Sequence, residues 1–109
     1  MSSACADNDT LHAPGVKDDK HKTDLCLLFE SFPMAIREVA DVASFGANKY
    51  TRNGWVTVKN VYERYNNALF RHKLAAIEGE AVDGESGLLH DAHACWNALA
   101  TLELRLRLS

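Results

Sequence analysis

The chain has 109 residues, 47% of them hydrophobic and 25% charged, with 12 Lys and Arg against 15 Asp and Glu for a formal net charge of −3. That is the size of one small domain with ordinary globular composition. The acidic balance argues against a protein that coats nucleic acid, no apolar run approaches the roughly 20 residues that span a bilayer, and Met1–Asp7 lacks the basic and apolar stretches of a signal peptide.

Residues 1–23 are polar, carry Pro14, Gly15 and the charge cluster Lys17 to Lys22, and show no apolar period. They read as an extended or disordered arm, leaving 24–109 as the folded domain. Leu25-Cys26-Leu27-Leu28-Phe29 is a short apolar run, either a helical turn or a segment packed across the core. Ser31 is placed to cap a helix with Pro33 in its first turn. Ile36, Val39, Ala40 and Ala43 then repeat at helical spacing until Gly46, so a first helix is expected over 32–45. A polar loop, Ala47 to Thr57, turns at Asn53-Gly54.

A second helix is expected over 58–78, with Val58, Val61, Tyr62, Tyr65, Leu69, His72 and Ala76 inward and Gly79 as its stop. Gly79 to Gly87 is a loop of turn formers and carboxylates. A third helix is expected over 88–107, with Leu89, Ala92, Trp96, Leu99 and Leu102 inward. The fold class is all-α: a hairpin of the last two helices with the first laid across it. Three helices make a thin core. Leu102, Leu104, Leu106 and Leu108 surround the last turns, so a homo-oligomer is expected to cover some of them. Cys5, Cys26 and Cys95 lie far apart without a CxxC pair. That spacing points to reduced thiols in a cytoplasm, with Cys95 packed on a helix.

The chemistry-bearing residues gather at the hairpin. His72 lies seven residues before Gly79 and His93 six after Gly87, so at about 1.5 Å per residue the two sit at nearly the same level. His90, His93 and Asn97 share a face of the last helix. The loop carries Glu80, Asp83 and Glu85, and the first helix adds Glu38 and Asp41. Imidazoles and carboxylates meeting at one end of a bundle suit a metal or phosphate site. HxxH by itself equally describes surface or core histidines, and spacing alone favours that plainer reading. Asp83, Glu85 and Ser86 equally suit a helix cap, and Glu38 and Asp41 a solvated edge. In the loop, Lys49 and Arg52 can hold phosphate, Tyr50 and Trp55 can stack on a base, and Asn53 can read its edge. The same residues also suit a loop that plugs the bundle end. Arg71 is a phosphate ligand or a surface ion pair.

Taken in order, Gly46-Ala47-x-Lys49-Tyr50-x-x-Asn53-x-Trp55, Arg71-His72, and Gly79-Glu80-x-x-Asp83-x-Glu85-Ser86-Gly87-x-x-His90-x-x-His93-x-x-x-Asn97 resemble the phage-associated dATP/dGTP diphosphohydrolase N-terminal domain family. Lys22-x-Asp24-Leu25 resembles that family's opening signature. Gly54 intervenes where the family usually has Asn directly before Trp, and Gly84 stands where proline is frequent. The resemblance implies an all-α fold similar to the MazG-like nucleoside-triphosphate pyrophosphohydrolases. It implies hydrolysis of a purine deoxynucleoside triphosphate to monophosphate and pyrophosphate, in the cytoplasm of a phage-infected host. Nucleic acid and membrane are not expected partners; a dimer or tetramer is.

MazG-like enzymes bind Mg²⁺ through ExxE and ExxD pairs, whereas the matching turn here reads His90-x-x-His93. The expected cofactor is therefore Mg²⁺ or Mn²⁺, with other transition metals admitted by the imidazoles. On this reading His72, His90 and His93 are catalytic, and Glu38, Glu80, Asp83, His90 and His93 surround the metal. Lys49, Tyr50, Asn53, Trp55, Arg71 and Asn97 bind substrate. Two other readings stand beside it: a catalytically silent nucleotide-binding domain, which the missing ExxD pair favours, and a helical interaction domain whose histidines only pack.

Overall fold

The computed structural model describes residues 21–108; of the expected arm, residues 1–20 lie outside the described residues. The chain divides into a unit ending at Pro33 and a unit beginning at Met34. In the first, the Leu25–Phe29 run is a helical turn: α1, Cys26–Ser31, starts where Asp24 Oδ1 accepts the Cys26 N–H at 3.1 Å. Ser31 ends α1 and does not cap the next helix, which begins at Pro33. Cys26 is disulfide-bonded, while Cys95 is free and exposed on the last helix. Among the described residues the expectation of reduced thiols thus fails for Cys26 and holds for Cys95, which is exposed rather than packed as expected.

The second unit is helical. α2 spans Pro33–Lys49, a 3₁₀ turn Gly54–Thr57, α3 Val61–Ile77 and α4 His90–Arg107. Among the described residues the β-structure is one isolated bridge, Val82 to Leu89. The all-α expectation is met, with three shifted boundaries. α2 continues four residues past the expected stop at 45, since Gly46 keeps a helical backbone and is absent from the positive-φ glycines. That extension carries Lys49 onto the helix. α3 starts three residues later than expected, after Asn60 takes a left-handed φ of 55°. α4 starts two residues later, because the bridge keeps Leu89 extended.

The core lies between α3 and α4. α4 buries His90, Ala92, Ala94, Asn97, Ala100 and Thr101. Small side chains on this face let the two helix axes approach closely. The larger leucines turn outward: Leu89, Leu99 and Leu102 were expected inside and are exposed. The inner stripe of α3 is half-buried throughout. On α2 only Val42 is buried; Ile36 and Val39 are half-buried, and Ala40 and Ala43 are exposed.

The α3–α4 connection is fixed at both ends. Gly79, at φ 101°, turns the chain out of α3. The His90 N–H then donates to the Ala81 carbonyl at 2.9 Å, and the Asp83 N–H to the Leu88 carbonyl at 2.8 Å. This closes residues 81–90 into a small antiparallel loop that holds Asp83 and Ser86 over the hairpin.

Candidate active site

Three imidazoles meet across the hairpin. His72 of α3 stacks on His93 of α4, with centroids 4.6 Å apart and planes 12° from parallel. His72 Nδ1 lies 2.8 Å from His90 Nδ1, so one of these nitrogens donates and the other accepts. The level-matching of His72 and His93 follows from the helical rise and the closed loop. His90, one turn from His93, is turned inward and buried.

The loop supplies the counter-charge. Asp83 Oδ2 accepts hydrogen bonds from the Ser86 backbone N–H at 2.9 Å and the Ser86 hydroxyl at 2.8 Å. Burial pushes the Asp83 carboxyl up, but the two Ser86 bonds and the neighbouring His93 and His72 outweigh it and hold it below the ordinary carboxylate range. An ionised Asp83 takes the single Ser86 hydroxyl proton. Ser86 Oγ, 2.7 Å from His93 Nε2, therefore accepts the proton of that nitrogen. His93 is thereby set with its proton on Nε2 and a lone pair on Nδ1. Sequence reading gave Ser86 only a capping role; the Asp83-x-x-Ser86 turn is the signal for more.

Burial lowers the His72 pKa, and the adjacent His93 and His90 lower it further. Burial also lowers that of His93, with Asp83 acting in the opposite sense. Both rings are consequently neutral at pH 7 and able to accept a proton.

Of these groups, His72, Asp83 and His93 line one end of a cavity of about 560 Å³, within the size range of small-molecule sites. Its other side is the end of α2 and the following loop, which contribute Lys49, Tyr50, Arg52, Asn53 and Trp55. Between them stand Tyr65, Trp96 and the buried Asn97. Trp55, Tyr65 and Trp96 contact one another edge to face, with centroids 5.1 to 6.0 Å apart. Lys49 Nζ donates to Glu85 Oε1 at 3.0 Å, which ties the end of α2 to the hairpin loop and raises the Lys49 pKa.

The inserted Gly54 has a local reason: a Cβ there would lie 2.5 Å from Thr51 Oγ1. Beside it, Thr51 and Asn53 take positive φ values of 146° and 61°.

His72, Asp83, His93, Lys49, Tyr50, Asn53, Trp55 and Asn97 thus line one cavity. Four expected residues do not, and one of them is His90, which is buried against His72 outside the cavity lining. Glu38 shares the face of α2 that carries Phe45, whose ring meets His93, but stands about 10 Å further down the axis. Arg71 is exposed, since consecutive residues of a helix point about 100° apart. Glu80 lies outside the cavity, its Oε1 3.4 Å from His90 Nε2. Trp96 and Tyr65, read from sequence as packing residues, line the cavity as well.

The sequence profile of the family described as dATP/dGTP diphosphohydrolase, N-terminal, matches residues 12–108. A dATP/dGTP diphosphohydrolase of Salmonella phage PMBT28 is 39% identical over 80 residues, which cover 73% of this chain and 26% of that protein. The chain therefore spans about a quarter of the length of this curated relative. No solved structure matches it.

Proposed function

We propose that this chain, which belongs to the dATP/dGTP diphosphohydrolase N-terminal domain family, binds a purine deoxynucleoside triphosphate in the cavity and hydrolyses it to the monophosphate and pyrophosphate. One observation carries the reading: a single cavity has cationic and aromatic side chains on one wall and an imidazole–carboxylate cluster on the other. Tyr50, Trp55 and Trp96 offer ring faces and edges to a purine. Asn53 and Asn97 offer amides to its polar edge. Lys49 and Arg52 meet the phosphates, and Lys49 exchanges Glu85 for a phosphate oxygen.

In this reading water attacks the α-phosphorus and the bond from that phosphorus to the bridging oxygen of pyrophosphate breaks. The proton of the attacking water passes to His93 Nδ1, on a ring that lines the cavity. Ser86 and Asp83 keep His93 in the tautomer that leaves Nδ1 open. Two imidazoles and a carboxylate at the same end of the cavity suit a divalent ion, which when bound neutralises charge on the phosphate oxygens and activates water.

The exposed apolar residues support a homo-oligomer as part of the same proposal. Phe70, Leu74 and Ile77 line one stripe of α3, and Leu99, Leu102 and Leu106 one stripe of α4, all more than half exposed. Light scattering at micromolar concentration is expected to show more than one chain.

The test is pyrophosphate release from each dNTP and NTP with Mg²⁺, Mn²⁺ or Co²⁺, alongside quenching of the Trp55 and Trp96 fluorescence by nucleotide. Release with dATP or dGTP above the pyrimidines supports the reading; neither quenching nor release overturns it. The turn His90-x-x-His93, standing where the similar enzymes carry a carboxylate pair, favours a second reading, in which this chain supplies a nucleotide pocket without turnover. Purine-selective quenching without release selects that reading.

A further inference from the structure

We infer that His72, His90 and Asp83 form a binding site for one divalent ion of the first transition row, with Glu80 as the outer partner of His90. This names the ion and ligands of the site above. Its use in catalysis rests on the nucleotide reading, while the ion binding stands on the ligand geometry alone.

The three residues each offer a ligand atom within 4.8 Å of the others. His72 Nδ1 and His90 Nδ1, at 2.8 Å, are close to the roughly 3 Å between adjacent ligands around an ion with bonds of about 2.1 Å. Three protein ligands leave further positions open for water and a phosphate oxygen, the pattern of a catalytic rather than a structural centre. Two imidazoles in a set of three are a poor match for Mg²⁺, which favours oxygen ligands, and a good one for Mn²⁺, Fe²⁺, Co²⁺ or Zn²⁺.

A second observation is independent of that spacing. His90 has a side chain only 7% exposed, and its Nε2 is buried without a hydrogen-bond partner. A polar atom in that position carries a cost that proteins seldom leave standing. Ligation through Nδ1 resolves it. A neutral imidazole that gives Nδ1 to an ion carries its proton on Nε2, which aims it at Glu80 Oε1, 3.4 Å away. Glu80 is 65% exposed at its side chain and free to close that gap. The result is a carboxylate–histidine–metal relay, which orients the ring and raises its basicity.

The remaining sequence candidates fall away. Glu38 is outside the set whose ligand atoms lie within 4.8 Å of one another. His93, although its Nδ1 is open, is outside that set as well, which makes it a neighbour of the ion rather than a ligand.

The experiment titrates Co²⁺ into the whole chain, stripped of metal, and follows ligand-field absorption, with circular dichroism as the check on folding. Binding of about one Co²⁺ per chain that survives a roughly hundredfold excess of Mg²⁺ is expected. Asp83→Asn and His72→Ala should each weaken it more than about tenfold. Glu80→Gln should weaken it about 10- to 100-fold with an unchanged melting curve, because that side chain is exposed and holds no structure. Three results overturn the inference: no Co²⁺ signal from folded protein, displacement by equimolar Mg²⁺, or wild-type affinity in both His72→Ala and Glu80→Gln. Nucleotide quenching measured in chelator separates this failure from a failure of the nucleotide reading.

Discussion

The two walls of the cavity are built on different physical terms. The hairpin wall is cross-linked: His72 stacks on His93, His90 meets His72, and Ser86 holds both Asp83 and His93. α4, which carries two of these histidines, buries six residues against the hairpin. The α2 wall is loosely held. α2 buries only Val42 in 17 residues, and Lys49, Tyr50, Arg52 and Asn53 are exposed. Its tie to the hairpin loop is the exposed Lys49–Glu85 pair. On the proposed function, groups that must hold a fixed geometry for proton transfer stand on the packed wall, and groups that meet a variable ligand stand on the loose one. Preorganisation matters most where charge develops, while cationic and aromatic contacts tolerate adjustment.

The comparison breaks most readily at the seam. Trp96→Ala removes the ring that touches both Trp55 and Tyr65. It should cost about 3 kcal/mol of stability, toward the low end for aromatic truncation because the ring is half-buried. It should weaken nucleotide binding as well. Urea unfolding and fluorescence titration measure the two effects, and an unchanged unfolding midpoint would erase the distinction between the walls.

Lys49→Ala tests the loose wall alone. Loss of an exposed ion pair should shift stability by no more than about 0.5 kcal/mol. Triphosphate affinity should fall about tenfold, the loss of one charge-assisted hydrogen bond. A fall in stability larger than the fall in affinity would make Lys49 a structural strut.

Acid should act on the packed wall first. The folded pKa values of His72 and His93 lie below the ordinary 6.5. As pH falls through that value, the unfolded chain takes up protons that the folded chain refuses, so stability declines. The depressed Asp83 extends the loss further into acid, since its contribution is present above the ordinary 3.8 and disappears below its folded value. The melting temperature of metal-free protein should therefore drop between neutral pH and mild acid. A flat profile would mean that the imidazoles are not desolvated.

Gly46→Ala is the smallest change. Gly46 lies within α2, and a Cβ there meets nothing within 4 Å. It should add about 0.5–1 kcal/mol of stability by helix propensity. Gly46 also lines the cavity, so weaker nucleotide binding in this variant would show that the ligand comes close to the α2 backbone.

Much of this was legible along the chain because it rests on local rules. The period of 3.6 residues set the helices. The approach of His72 to His93 needed only the helical rise and a closed loop, both readable from Gly79 and Gly87. Lys49, Tyr50, Asn53 and Trp55 stand close enough in sequence to reach one cavity together. What depends on packing was not legible. Gly46 is a stop signal only where the backbone turns left-handed, and α2 continues through it. Arg71 is adjacent to His72 in sequence but points about 100° away from it around the helix, and Glu38 fails by axial distance along its own helix. Which face of α4 is buried was settled by close approach to α3, which favours Ala92, Ala94 and Ala100 over the more hydrophobic Leu99 and Leu102. The roles of Ser86 and of the buried His90 Nε2 depend on hydrogen bonds between segments. Sequence fixes which atoms can donate and accept, but only the folded chain brings each donor within about 3 Å of a partner or leaves it without one.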